Sequence, residues 1–321
     1  MFYAQAHLPV IHGEHYQNQP TCPECGQHEF KPALNTDQAR TLALKGLFED
    51  VYLQWPDVIF FVSGFWITKD MLRVLRSRGH KTVILHTESP YQDREQIDRG
   101  QYADINLLND PTNLDEWRSV LPNTWYMPHA YDRDVHYPAT LPRAYESDFS
   151  FIGTGFQSRR DFFGKLDLEG LEVTLGGPNW GKALEEPENS HIVSWVGHDP
   201  EESVDNTEAA RLYRMSKVGI NFYRREGEKD YNGTGWAMGP REIEMAACEL
   251  FFIRDSRPES DEVFGHILPS YSTPEEASEL IQWWATHDKE REHAAQVARQ
   301  AIEDRTFDNN ARQFMRYLES L

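Results

Sequence analysis

Apolar positions along this chain follow two alternating rhythms. Leu44, Leu47, Phe48 and Val51 stand at i, i+3, i+4 and i+7, the single face of a helix over 42–52, and Pro56 stops it. Residues 57–64 (Asp-Val-Ile-Phe-Phe-Val-Ser-Gly) are a nearly continuous apolar run, which predicts a strand buried on both faces. Thr68 is placed to cap a helix through Met71, Leu72, Val74 and Leu75. Gly79 ends that helix, and Lys81–His86 is a second apolar strand. Strand, helix, glycine and strand within about 30 residues make the βαβ unit of a parallel sheet. Strands at Asp104–Leu108 and Thr124–Met127, with a helix over Leu114–Val120 between them, continue it.

The proline-bearing stretch Tyr137–Pro142 breaks the rhythm and reads as a linker. Strands then resume at Asp148–Gly153 and Glu172–Leu175, followed by a helix near Glu208–Met215 and a strand at Val218–Phe222. A helix opening at Pro240 and a strand at Leu250–Ile253 come next. Thr273-Pro-Glu-Glu276 is a helix start, with a capping threonine, proline at the first helical position and a glutamate three residues after the cap. Phe307, Ala311, Phe314 and Leu318 give the last helix one apolar stripe. The expected fold is α/β, with two Rossmann-like parallel-sheet domains, 1–142 and 143–300, facing across a cleft at the carboxyl ends of their strands. A terminal helix within 301–321 is expected to pack back toward the first domain.

At 321 residues and 37.4 kDa the chain is long enough for two domains, and 12 % aromatic residues exclude a disordered chain. No run approaches the ~18 apolar residues of a membrane span. The first residues lack the basic-then-apolar pattern of a signal peptide, and three cysteines suit a reducing cytoplasm. A formal charge of −20 argues against a nucleic-acid grip, which needs a basic face. The small cluster Arg73, Arg76, Arg78 and Lys81 reads as a solvated helix end.

Four segments carry candidate chemistry. In Phe151-Ile-Gly-Thr-Gly-Phe-Gln-Ser-Arg-Arg160, glycines between a strand and a helix let backbone N–H groups approach an anion, and Arg159 and Arg160 add charge. The other reading is a tight turn that binds nothing. In Gly239-Pro-Arg-Glu-Ile-Glu-Met-Ala-Ala-Cys248, Arg241, Glu242 and Glu244 occupy the first turn and a half of a helix, placed for phosphate and ribose hydroxyls. Against this stands ordinary compensation of the helix dipole. His86-Thr-Glu-Ser-Pro-Tyr91 ends a central strand, and His86 and Glu88 are candidate bases for an acceptor hydroxyl, with a loop carboxylate as the alternative. His129, also after a strand, reads as a packing residue. Finally, His7, His12, His15, Cys22, Cys25 and His28 crowd the N-terminal segment 1–35. Cys22-Pro-Glu-Cys25 has the spacing of a zinc half-site, but without a second cysteine pair a plain turn is the favoured reading.

Taken in order, Ser-Phe-Ile-Gly-Thr-Gly with Arg-Arg, Gly-Ile-Asn-Phe-Tyr, Arg-Glu-Ile-Glu-Met-Ala-Ala-Cys and Arg-Asp resemble the CgeB-like glycosyltransferases, bacterial and bacteriophage enzymes of GT-B architecture. The resemblance covers roughly residues 55–300. It implies transfer of a sugar from a nucleoside-diphosphate sugar to an acceptor hydroxyl without a bound catalytic metal. The donor would sit on the C-terminal domain. Gly153, Thr154 and Gly155 match the family's loop under the diphosphate, Asn221 lies in a donor-side motif, and Arg241 and Glu244 match its Arg-x-Phe-Glu element, so that Glu244 takes the ribose. Thr87-Glu88-Ser89-Pro90 matches its Thr-Asp/Glu-x-Pro segment on the acceptor side. Where the family has glycine after Ala-Cys, this chain has Glu249. The acceptor is expected to be a protein, glycan or small molecule, and the enzyme to work in a cytoplasm, that of the host if phage-encoded. A noncatalytic nucleotide- or sugar-binding protein and a DNA-base glycosyltransferase are the alternatives.

Overall fold

A computed structural model describes residues 36–140, 143–223, 225 and 235–319. The Cys/His cluster at 7–28 lies outside the described residues. The chain divides into two compact units. The first comprises the described residues up to Thr87 with Arg94–Leu107 and Trp117–Trp125. The second comprises Glu88–Asp93, Leu108–Glu116 and the described residues from Tyr126 onward.

The first sheet has strand order β1-β2-β3-β4, from β1 (Val58–Val62), β2 (Lys81–His86), β3 (Ile105–Leu108) and β4 (Thr124–Tyr126). α1 (Thr36–Gln54) precedes it. α2 (Lys69–Ser77) joins β1 to β2, and its cap Thr68 accepts a hydrogen bond from the Met71 N–H. β1 and β2 pair in parallel, Val58 against Lys81. β1 stands at an edge. Ile59 and Phe61 are buried while Phe60 is 41 % and Val62 61 % exposed, so the expectation of burial on both faces is corrected to one. α3 (Asp93–Gly100) buries only Gln96 and Gly100, and with no apolar stripe it left no trace in the hydrophobic pattern. α4 (Leu114–Val120) precedes β4.

The second sheet is wholly parallel, with order β6-β5-β7-β8-β9. Its elements are β5 (Ser147–Ile152), α5 (Gln157–Phe163), β6 (Val173–Gly176), α6 (Asn206–Arg214), β7 (Ser216–Asn221), α7 (Pro240–Ala247), β8 (Phe251–Asp255), α8 (Pro258–Phe264) and β9 (Ser270–Tyr271). α9 (Pro274–Thr286), α10 (Asp288–Ala301) and α11 (Phe307–Glu319) follow. Phe149, Phe151, Phe163 and Trp180 form an aromatic core, with the Phe151 and Phe163 rings 4.8 Å apart. None of the α11 residues is buried. Of its apolar stripe, Phe314 and Leu318 are half-buried while Phe307 and Ala311 are exposed, and Asn310 donates to the Pro128 carbonyl at 2.8 Å. Among the described residues no helix is long and apolar enough to cross a membrane.

One topological fact positions the site. From β5 the chain crosses by α5 to β6 on one side, and from β7 it crosses by α7 to β8 on the other. Right-handed crossovers put these two helices on opposite faces, opening a crevice outside the carboxyl ends of β5 and β7.

Candidate functional site

The glycine loop after β5 is closed by its own backbone. Gly153 N–H donates to the Gly176 carbonyl and Gly155 N–H to that of Pro178, each at 2.8 Å. The Gly153 carbonyl accepts from the Trp180 indole at 3.0 Å. The glycines are required by packing: a Cβ on Gly153 would lie 2.6 Å from Arg241 Nη2, and one on Gly155 2.9 Å from the Trp180 ring. The expected cradle of loop N–H groups is therefore corrected for Gly153 and Gly155, since both donors are already engaged. Thr154, half-buried between them, offers its carbonyl to Arg159 Nη1 at 2.9 Å.

Two guanidiniums meet at this loop. Arg159, 5 % exposed, bridges the carbonyls of Thr154 and Phe222, tying the ends of β5 and β7 together. Burial and these two bonds make it a brace across the strand ends that places its charge beside Gly153. Arg241 reaches from α7 to the Ile152 carbonyl at 2.5 Å, and both guanidiniums lie 5.0 Å from the centre of the Phe151 ring. Arg241 is half-buried, and among the described residues no carboxylate pairs with it. Glu244 follows on the same helical face, half-buried, and among the described residues its carboxylate has no hydrogen-bond partner. Tyr213 of α6 is buried beside both. Burial above all, and then the charge of Glu244, raises its phenol well above the ordinary range.

Glu242 is a second correction. It is fully buried, with Oε1 accepting from Ser260 at 2.6 Å and Oε2 from the Gly239 N–H at 3.1 Å and from the Tyr223 hydroxyl. Enclosed in this way it caps α7 from within, and burial pushes its carboxyl up to about 7. Asn221, the last residue of β7, is buried, and among the described residues its side-chain amide N–H lacks a partner.

Residues 158–316 match a family model described as glycosyl transferase-like. No curated protein matches the sequence. Sucrose-phosphate synthase from Thermosynechococcus elongatus superposes with a TM-score of 0.60 at 12 % identity, over 92 % of this chain and 82 % of that one. Anabaena HepE in complex with UDP and glucose gives 0.58 at 11 %, over 91 % and 84 %. Its complex with UDP-glucose gives 0.56 at 12 %, over 87 % and 82 %. At these identities the likeness shows the fold, which is GT-B.

The matched segment contains Arg159, Asn221, Arg241, Glu242 and Glu244, and the glycine loop lies just before it. Glu249, placed where the resemblance expects glycine, follows the C-terminus of α7 with φ of +57°, a backbone that glycine adopts readily. Arg143 holds it there, donating to its carbonyl at 2.7 Å and its carboxylate at 2.8 Å. The departure from glycine is thus a matter of helix termination, at the end of α7 away from Arg241.

His86 is the third correction. It is fully buried in the first unit, its Nε2 bonded to Asn106 at 2.8 Å and its ring 4.7 Å from that of Trp117, and burial lowers it to about 4. Buried and bonded in this way, it packs as a core residue rather than as an exposed base. Glu88 is half-buried in the following turn, where its carbonyl accepts from the Tyr91 N–H at 2.7 Å. His129 is half-buried, and burial first, then Arg257 and Arg305, holds it at about 4 against the pull of Asp110.

Sequence reasoning missed a set of oxygens that fix the approach to α7. Trp236 N–H donates to Thr112 Oγ1 at 3.0 Å and Ala237 N–H to Asp110 at 2.9 Å. Met238 N–H donates to Glu259 at 2.9 Å, and Gly239 N–H to Glu242. Four successive donors each meet a side-chain oxygen. No local pattern marks Asp110 or Glu259, because their partners are far along the chain. Among the described residues no group of three or more His, Cys, Asp or Glu is arranged to hold a metal ion.

Proposed function

We propose that this chain is a nucleotide-sugar glycosyltransferase that binds its donor at the crevice outside β5 and β7 and transfers the sugar to an acceptor hydroxyl of a protein or glycan, without a catalytic metal. The observation that carries this reading is the meeting of Arg241 and Arg159 at Gly153, with Glu244 open one turn behind Arg241. Two cations at a topological switch point suit a diphosphate, and an unpartnered carboxylate near a helix start suits a pair of ribose hydroxyls. The glycosyl transferase-like match, and neighbours crystallised with UDP and UDP-glucose, support it.

In this reading the acceptor oxygen attacks the anomeric carbon, the bond from that carbon to the diphosphate oxygen breaks, and the proton passes to Glu88. Charge grows on the departing diphosphate, where Arg241 stabilises it and the buried charge of Arg159 adds to the field. Water in place of the acceptor gives slow donor hydrolysis. The test is therefore hydrolysis of a panel of UDP-, GDP-, ADP- and dTDP-sugars in the presence of EDTA. Release of a nucleoside diphosphate from one member is expected. Glu88→Gln should lower that rate by ~10²–10⁴ with nucleotide affinity unchanged. No turnover of any donor with or without Mg²⁺ or Mn²⁺ would overturn the reading, and turnover only with metal would overturn its metal independence.

A further inference from the structure

Arg257, the residue just before α8, reaches three separate stretches of the second unit. Nη1 donates to the Ala237 carbonyl at 3.0 Å, in the segment leading to α7. Nη2 donates to the Tyr91 hydroxyl, in the turn that begins at Glu88. The guanidinium also lies 3.8 Å from the centre of the Tyr223 ring, whose hydroxyl bonds Glu242 inside α7. The turn after β2 is short and self-bonded, with both Tyr91 and Gln92 N–H groups donating to the Glu88 carbonyl at 2.7 and 3.0 Å. Anchoring the Tyr91 side chain therefore fixes the turn in which Glu88 stands. The Ala237 side of the fork is rigid in its own right, because Thr112, Asp110 and Glu259 hold the N–H groups around it.

We infer that Arg257 is a positioning residue: it ties the Glu88 turn to the segment that presents α7, setting the proton acceptor at a fixed distance from the bound donor. The inference rests on the glycosyltransferase reading. It uses the planar fork of arginine, which can bond Ala237 and Tyr91 at once. A lysine keeps the charge but cannot make both bonds in that geometry. Losing the tie lets the turn drift while the approach to α7 stays held by its three other bonds, so the chemical step suffers and donor binding does not.

The experiment compares wild type with Tyr91→Phe, Arg257→Lys and the double variant. It uses whichever sugar nucleotide of the panel wild type hydrolyses, with melting temperatures as a control for folding. Tyr91→Phe removes one hydroxyl and leaves packing intact. Each single variant is expected to lower kcat about tenfold with donor KM within about twofold, and the double variant to be no slower than the slower single one. Full activity in Arg257→Lys would overturn the inference, because charge alone would then suffice. So would multiplying effects in the double variant, or a rise in KM with kcat unchanged. Hydrolysis by wild type with no change in any variant defeats the coupling alone, whereas absence of hydrolysis in wild type defeats the functional reading and the coupling with it.

Discussion

The two sides of the first turns of α7 carry the same chemistry and do opposite things with it. Glu242 and Glu244 are two residues apart, about 200° around the helix. Glu242 points into a closed network of Tyr223, Ser260 and Gly239, while Glu244 shares with Arg241 the side that touches the end of β5. A carboxylate whose oxygens are filled by the protein stabilises the fold. One whose oxygens are open has its hydrogen-bonding capacity left for a ligand. Residue type does not distinguish them; partners do.

That contrast breaks most visibly with Glu242→Ala. The change leaves the Tyr223 and Ser260 hydroxyls without this acceptor in a buried site and the Gly239 N–H with only its longer bond to Tyr223, and should cost about 3 kcal/mol by chemical denaturation. A loss below about 1 kcal/mol would mean the network is not closed.

Acidity sharpens the contrast. Because Glu242 titrates near 7 when folded and near 4.5 when unfolded, the folded state holds the extra proton between those values. Its contribution to stability is full below about 4.5 and falls as pH rises toward 7, by up to about 3 kcal/mol. His86 and His129, held at about 4, act in the opposite sense over a similar range, so the quantity to measure is the difference between wild type and Glu242→Gln. The amide keeps the shape and cannot ionise. Wild type should lose stability relative to Glu242→Gln between pH 5 and pH 7, and parallel curves would refute the titration.

On the open side, Glu244→Ala should leave the melting temperature nearly unchanged. It should weaken nucleoside-diphosphate binding by roughly ten- to a hundredfold, the effect of losing hydrogen bonds to a charged acceptor worth ~1.5–3 kcal/mol. Normal affinity by calorimetry would remove Glu244 from the site. The smallest effect on binding belongs to the far end of the helix. Glu249→Gly should leave nucleotide affinity unchanged; it relieves a left-handed backbone but strips the largely buried Arg143 of its counter-charge, so a fall in melting temperature with normal nucleotide binding by calorimetry is expected.

The strands were legible because burial writes itself as apolar runs. Lys81–His86 is bounded to the residue, and Thr68 and Pro240 mark helix starts through capping chemistry that is local in sequence. α3 was not legible because a helix that buries only Gln96 and Gly100 has no stripe to read. In the site, spacing identified the helix that matters and the residues at its start. It could not say which of them point inward, since that depends on Ser260 and Tyr223, 18 and 19 residues away in the chain. Arg159 shows the same limit: it lies within a few residues of the loop and is nonetheless enclosed by Phe222, 63 positions on. Asp110 had no signature at all, because its partner Ala237 is 127 positions away.

The four backbone donors from Trp236 to Gly239, each matched to its own oxygen on Thr112, Asp110, Glu259 and Glu242, make this stretch a ruler. None of the four bonds uses a side chain of the stretch, although Ala237 and Met238 are buried and their packing limits what can replace them. Its length is held by all four bonds. Adding or deleting one residue moves the backbone by about 3.8 Å, more than a hydrogen bond can span in slack, and puts every donor one place out of phase with its acceptor. A one-residue insertion here should therefore be worse than substitutions at several of its positions together, and the distance from Trp236 to the start of α7 is the one dimension of the site that point mutation cannot adjust.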